Sequence, residues 1–289
     1  MERASTSTSA ASVVIGTACA LGEGPTWDQR GSRLLWLDID KCTLHELTSS
    51  VHVRTTVRCR TTAVVVAADG GLVSVAETTV ARLNGDGSTG ELVARLPSNG
   101  DGMANDARCD PFGRLWVGTV DRSGGRRGGL YIVSSDGSVR LAKDGCELSN
   151  GLDWSPDGGT CYFADTFAHA VERLHLNDDG LPVSSSILFE SDLMPDGLTV
   201  DSDGGVWVAF WDGGVVQRYT ADGTLDHVVT VPRGGFVTSC AFGGVDLRTL
   251  YITTAAGGLS ADELSASPDA GALFAADVGI GGRGYTMFS

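Results

Sequence analysis

Apolar residues along the chain come in short runs that alternate with polar positions, and most runs end at a glycine-containing turn. Period-two alternation of this kind marks half-buried strands. No long amphipathic helix is discernible. One phrase recurs: a small polar turn, then a β-rich run with an aromatic near its middle. The copies are Gly31-Ser-Arg-Leu-Leu-Trp36, Gly70-Gly-Leu-Val73, Gly113-Arg-Leu-Trp116, Gly158-Gly-Thr-Cys-Tyr162, Gly204-Gly-Val-Trp207 and Asp246-Leu-Arg-Thr-Leu-Tyr251. Only Val73 breaks the aromatic rule. The spacing is about 38–46 residues, the span of one propeller blade.

A second alternating run follows each copy: Cys42–Leu47, Thr79–Leu83, Gly129–Val133, Ala170–Leu174, Gly214–Tyr219 and Ala272–Ala276. Asp-Gly pairs such as Asp86-Gly87, Asp136-Gly137 and Asp222-Gly223 come next and signal hairpins. Six similar units of four strands predict an all-β, six-bladed β-propeller over residues 12–289. Residues 1–11, rich in Ser, Thr and Ala and lacking an apolar signal-peptide core, are expected to form a disordered tail.

Aligning the segment before each phrase places Glu23, Thr62, Asn105, Asn150, Asp196 and Thr238 at one structural position, an end of each innermost strand. Every one carries a side-chain oxygen. In a propeller, equivalent inner-strand positions converge on the central channel. Such a ring suits a hard divalent cation. Glu23, Asn150 and Asp196 are the best direct ligands, with Thr62 and Thr238 lining the pocket or holding water. None of the five histidines falls in the ring, which argues against zinc. A rival reading makes Asn150-Gly151 and Asp196-Gly197 plain turn pairs. The six-fold register favours ligands.

Composition narrows the function classes. Charged residues, 20% of the chain, and hydrophobic residues, 42%, are in globular balance. No apolar run approaches the ~20 residues of a membrane helix. A net charge of -15 repels phosphate backbones, so nucleic acid is not an expected partner. Seven cysteines, an odd number without a C-x-x-C pair, point to a reducing cytoplasm rather than a disulfide framework. Cys240, two residues after Thr238, is expected near the channel. The basic stretch Arg122–Arg127 reads as a solvated hairpin. The stretch Gly257–Gly271 reads as a long loop.

Several motifs together resemble the SMP-30/gluconolactonase/regucalcin-like family of sugar lactonases. They are Leu21-Gly-Glu-Gly-Pro25 with Trp27-Asp28, Asn105-Asp106 followed by Asp110–Thr119, Ser149–Asp157, Pro195-Asp-Gly-Leu198, Gly205–Ala209 and Thr238–Gly244. The resemblance spans nearly the whole chain after the tail. It implies one catalytic divalent metal at the channel mouth, held at positions matching Glu23, Asn150 and Asp196. Asp196 would also be the acid/base, and Asn105 would contact water or substrate. Two positions depart from the family. Where it often has Arg-x-Asn-Asp-Gly, this chain reads Met103-Ala-Asn105-Asp106-Ala107. Where an acidic residue often contacts sugar hydroxyls, Ser123 is the equivalent, or Asp121 if the loop shifts.

These readings give a metal-dependent hydrolase that opens a lactone less polar than a sugar acid lactone. The expected small-molecule pocket holds Asn105, Met103, Ser123, Asp121 and Thr238, with Met103 and Trp211 as candidate walls. The expected cofactor is one calcium ion, with magnesium, manganese or zinc as alternatives. A monomer or weak homo-oligomer in the cytoplasm is expected. Two rivals remain: the same metal site recruited to cyclise or isomerise a specialised metabolite, and a non-enzymatic propeller that binds metal or a partner.

Overall fold

The computed structural model describes residues 6–97, 102–121 and 127–289. The chain builds six sheets, the blades of a β-propeller. Blade 1 comprises Gly22–Asp28, Arg33–Asp38, Thr43–Leu47 and His52–Thr56. Blade 2 comprises Thr61–Val66, Leu72–Ala76, Thr79–Leu83 and Thr89–Arg95. Blade 3 has Gly102–Cys109, Leu115–Asp121, Gly128–Val133 and Val139–Cys146. Blade 4 has Ser149–Trp154, Thr160–Asp165, Ala170–Leu176 and Pro182–Glu190. Blade 5 has Pro195–Val200, Val206–Phe210, Val215–Tyr219 and Leu225–Thr230. Blade 6 takes Phe236–Gly243, Thr249–Ala255 and Leu273–Asp277 from the C-terminal part of the chain. Its outer strand is Ser12–Ile15, antiparallel to Leu273–Asp277. That pairing ties the two ends of the chain together and closes the ring.

The repeated aromatic has a packing reason. Six apolar clusters form among the described residues, and each lies between two neighbouring blades. Trp36, Trp116, Tyr162 and Trp207 are buried wedges in four of these seams, and Val73 serves in a fifth. A buried indole N–H needs an acceptor. Asp110 supplies one to Trp116 Nε1 (2.9 Å), and Asp201 supplies one to Trp207 Nε1 (2.8 Å). The same carboxylates receive backbone N–H groups of the following turn, Phe112 and Arg114 in one case and Asp203 and Gly205 in the other. The Asp-turn-Trp phrase is thus one hydrogen-bonded unit.

Two elements differ from the sequence expectation. Ser7–Ala10, assigned to a disordered tail, forms a fifth strand parallel to Leu225–Thr230. Strand pairing uses backbone groups and needs no apolar side chains. The Ser7 and Ser9 hydroxyls also bracket the His227 ring, at 2.7 and 2.9 Å. Within Gly257–Gly271, Ala261–Ala266 is a short helix started by a capping box between Ser260 and Glu263. The basic stretch at 122–126 lies outside the described residues. No helix among the described residues is long and apolar enough to cross a membrane.

Candidate active site

Each of the six aligned positions falls where the innermost strand slips register against its neighbour. The slips lie between Glu23 and Thr26, Thr61 and Ala63, Ala104 and Ala107, Ser149 and Leu152, Pro195 and Leu198, and Val237 and Ser239. A β-bulge re-aims the side chains it carries. The bulges come in two forms. At Glu23, Asn105, Asn150 and Asp196, a three-residue step opposes a two-residue step. At Thr62 and Thr238, a two-residue step opposes one.

The two forms have different outcomes. Glu23, Asn105, Asn150 and Asp196 all line one cavity of about 340 Å³. Thr62 and Thr238 do not. The Thr62 hydroxyl donates to Val75 O at 3.4 Å, and the Thr238 hydroxyl donates to Gly22 O at 2.5 Å. Both are buried joints.

Asn150-Gly151 and Asp196-Gly197 lie within innermost strands, so they are not turn pairs. Close approach of adjacent strands is what calls for the glycines. A Cβ on Gly151 would sit 2.3 Å from Leu198 N, and one on Gly197 would sit 2.0 Å from Ser239 Oγ.

The floor of the cavity is rich in acceptors. Asn150 Nδ2 donates to Thr166 Oγ1 (3.1 Å), which donates to Pro195 O (2.7 Å). Asn105 Nδ2 donates to Ser149 O at 3.0 Å. With their nitrogens committed, both amides keep an oxygen for the site. Asp196 is 3% exposed, and its Oδ1 is buried without a hydrogen-bond partner. A buried acceptor in that state costs about 1–3 kcal/mol. Burial, followed by the Glu23 and Asp106 carboxylates, raises the Asp196 pKa well above the usual range. Contacts with Asn150 and the Gly197 N–H pull the other way. Burial and Asp106 push Glu23 up to about 8. Asp106 is itself raised by burial, against the pull of Arg108.

Two crowded carboxylates and two amide oxygens, with one orphaned acceptor, form a donor set of the kind hard divalent cations take. No group of three His, Cys, Asp or Glu side chains suited to a metal occurs among the described residues.

Other expected residues lie elsewhere. Met103 is half-buried opposite Val120 and does not line the cavity. Asp121 is buried and paired with Arg127. Ser123 lies outside the described residues. Cys240 is fully buried, with its thiol pushed up to about 12 by burial and its Sγ directed at Trp207 O.

The walls contain residues that sequence reasoning passed over. Leu21, Leu148 and Met194 each precede a ring residue by two, so strand period turns them the same way. Ile39, Thr166 and Trp211 each follow the second strand of their blade. Trp211 was an expected wall and does line the cavity. Phe167 lies at the rim, 56% exposed.

Known proteins share this arrangement of blades. The sequence pattern of the SMP-30/Gluconolactonase/LRE-like region matches residues 21–256. The chain is 37% identical over 287 residues to pentonolactonase XacC of Haloferax volcanii, covering 93% of this chain and 95% of that one. It is 34% identical over 291 residues to the 6-deoxy-6-sulfogluconolactonase of Pseudomonas putida, covering 96% and 97%. Among solved structures, it superposes on the calcium-binding protein regucalcin of Agrobacterium tumefaciens with a TM-score of 0.92. There the identity is 30%, over 99% of this chain and 100% of that one. With the match running through all six blades, the chain belongs to the SMP-30/gluconolactonase/LRE-like family.

Proposed function

We propose that this chain is a metal-dependent hydrolase that opens a lactone ring. The observation that carries the reading is the convergence of Glu23, Asn105, Asn150 and Asp196 on one cavity, with Asp196 Oδ1 buried and unpaired. Lactonases among the relatives support it. Glu23, Asn150 and Asp196 would hold the cation. The all-oxygen set, together with the calcium-binding neighbour, favours calcium over magnesium, manganese or zinc.

A bound divalent cation would polarise the lactone carbonyl and stabilise the charge that develops on its oxygen. Asp196 takes a proton from the attacking water and returns it to the departing ring alkoxide. Asn105, fixed through Ser149 O, orients water or substrate with its amide oxygen. Thr166 fixes Asn150 in the same way.

The test uses EDTA-stripped protein, a panel of lactones with a pH indicator, and add-back of calcium, magnesium, manganese or zinc. The expected result is turnover restored by one of these ions and lowered about 10²- to 10⁴-fold in Asp196→Asn. Turnover that survives chelation, or an Asp196→Asn variant as fast as the parent, would overturn the proposal.

A further inference from the structure

The cavity walls contrast with its floor. Leu21, Ile39, Leu148, Phe167, Met194 and Trp211 line it beside Glu23, Asn105, Asn150, Thr166 and Asp196, and no basic side chain joins them among the described residues. We propose that the substrate is a lactone whose ring carries an uncharged alkyl or aromatic substituent, received by Phe167, Met194 and Trp211. This rests on the lactonase reading above and adds the substrate class.

Trp211 is held in place before any ligand arrives. Its ring stacks on Phe236, with centroids 4.4 Å apart and planes 9° from parallel. Its backbone N donates to Met194 O at 3.0 Å, and its O accepts from Val237 N at 3.3 Å. Met194 N in turn donates to Asp212 Oδ1 at 2.9 Å. Stacking thus fixes the Trp211 ring, and the backbone bonds fix Met194 beside it, so the Trp211 side chain has little freedom left to lose on binding.

Phe167 is a large apolar ring 56% exposed beside the cavity. An apolar substituent covering it would remove that surface from water. A polyhydroxylated ring would meet hydrogen-bonding partners at Glu23, Asn105, Asn150, Thr166 and Asp196 and none at the six apolar lining residues. Its hydroxyls would lose water against Leu21, Ile39, Leu148 and Met194, and a desolvated hydroxyl without a hydrogen bond weakens binding. Among the described lining residues the charged groups are the Glu23 and Asp196 carboxylates, so the bound cation would be the one positive charge that a carboxylate or phosphate on the substrate meets. Met103, expected from sequence as a candidate wall, is not among the residues that line the cavity. The chain's apolar preference comes instead from blades 1, 4 and 5.

The experiment compares matched lactones of one ring size: alkyl-substituted, phenyl-substituted, polyhydroxylated and phosphorylated. Metal-loaded parent protein is measured beside Trp211→Ala, Trp211→Phe and Phe167→Ser. Phe167 is exposed, so its variant keeps the test valid should Trp211→Ala fold poorly. The expected result is kcat/KM at least tenfold higher for the apolar lactones than for the polyhydroxylated one. That ratio should fall about tenfold in Trp211→Ala and severalfold in Phe167→Ser, mainly through KM, with recovery in Trp211→Phe. Turnover in which polyhydroxylated or phosphorylated lactones outrank the apolar ones overturns this inference alone. So does an unchanged ratio in both Trp211→Ala and Phe167→Ser. No turnover of any lactone overturns the lactonase reading and this inference with it.

Discussion

Crowding of carboxylates in the cavity should make the metal-free protein lose stability as pH rises. Glu23 is pushed up to about 8 by burial and the neighbouring Asp106, from an ordinary value of 4.5. The folded chain then holds a proton that the unfolded chain releases above pH 4.5. Folding stability must therefore fall between about pH 4.5 and 8, by about 1.4 kcal/mol per pH unit for each such proton. Asp196 is raised as well, and the two acids titrate as a pair. One proton alone gives a loss of about 4 kcal/mol from pH 5 to pH 8. At about 2–4 °C per kcal/mol for a chain of this class, that is a fall of roughly 10 °C in Tm. Thermal melts in EDTA at fixed ionic strength measure it. Glu23→Gln, which has no proton to lose there, should show a shallower fall. Added calcium should restore stability most at the alkaline end, where the carboxylates are already ionised, by about 2.7 kcal/mol at a hundredfold excess over Kd. Parallel pH profiles for the parent and Glu23→Gln in EDTA would refute the reasoning.

Two further substitutions probe the scaffold. In Gly197→Ala the added Cβ would sit 2.0 Å from Ser239 Oγ and 2.7 Å from Ser239 Cα, so blades 5 and 6 must part. A cost of about 1–3 kcal/mol is expected as a lower urea midpoint, and no change would show that the inner strands of blades 5 and 6 have room for a methyl group. Asp201, fully buried, accepts from Trp207 Nε1 (2.8 Å) and Arg218 Nε (2.6 Å). Asp201→Asn should cost about 3 kcal/mol in urea denaturation, because Arg218 then keeps only its second partner, Asp226. A loss below about 1 kcal/mol would mean that Asp226 alone satisfies the guanidinium.

The blade repeat was legible in the sequence because one physical unit is built six times. In blades 3 and 5 the Asp-turn-Trp phrase satisfies a buried indole, and Trp36, Val73, Trp116, Tyr162 and Trp207 each fill a seam from the same place in the repeat. The four cavity residues were legible for a related reason. Equivalent positions in a closed ring of repeats must converge, so aligning the repeats also superposes the inner-strand ends. What alignment could not separate was Glu23, Asn105, Asn150 and Asp196 from Thr62 and Thr238. That difference lies in bulge form, three residues against two or two against one, and strand register is a property of the paired strands. The Ser7–Ala10 strand was hidden for the same reason: blade 5 supplies its partner, and its own side chains carry no apolar signal. The helix at Ala261–Ala266 was missed although its capping pair, Ser260 and Glu263, was in plain view.

Register also explains where the chemistry sits. The wide bulges occur in blades 1, 3, 4 and 5, and those blades carry Glu23, Asn105, Asn150 and Asp196. Blades 2 and 6 carry the narrow form, and there the threonine hydroxyls are committed to carbonyls, Thr62 to Val75 within its own blade and Thr238 to Gly22 of blade 1. Replacing Thr62 or Thr238 by Asp would thus put an unpaired carboxylate into a packed seam, not a fifth ligand into the cavity. A ring of six equivalent positions is in this way divided by backbone geometry into four that face the cavity and two whose hydroxyls are committed to buried carbonyls.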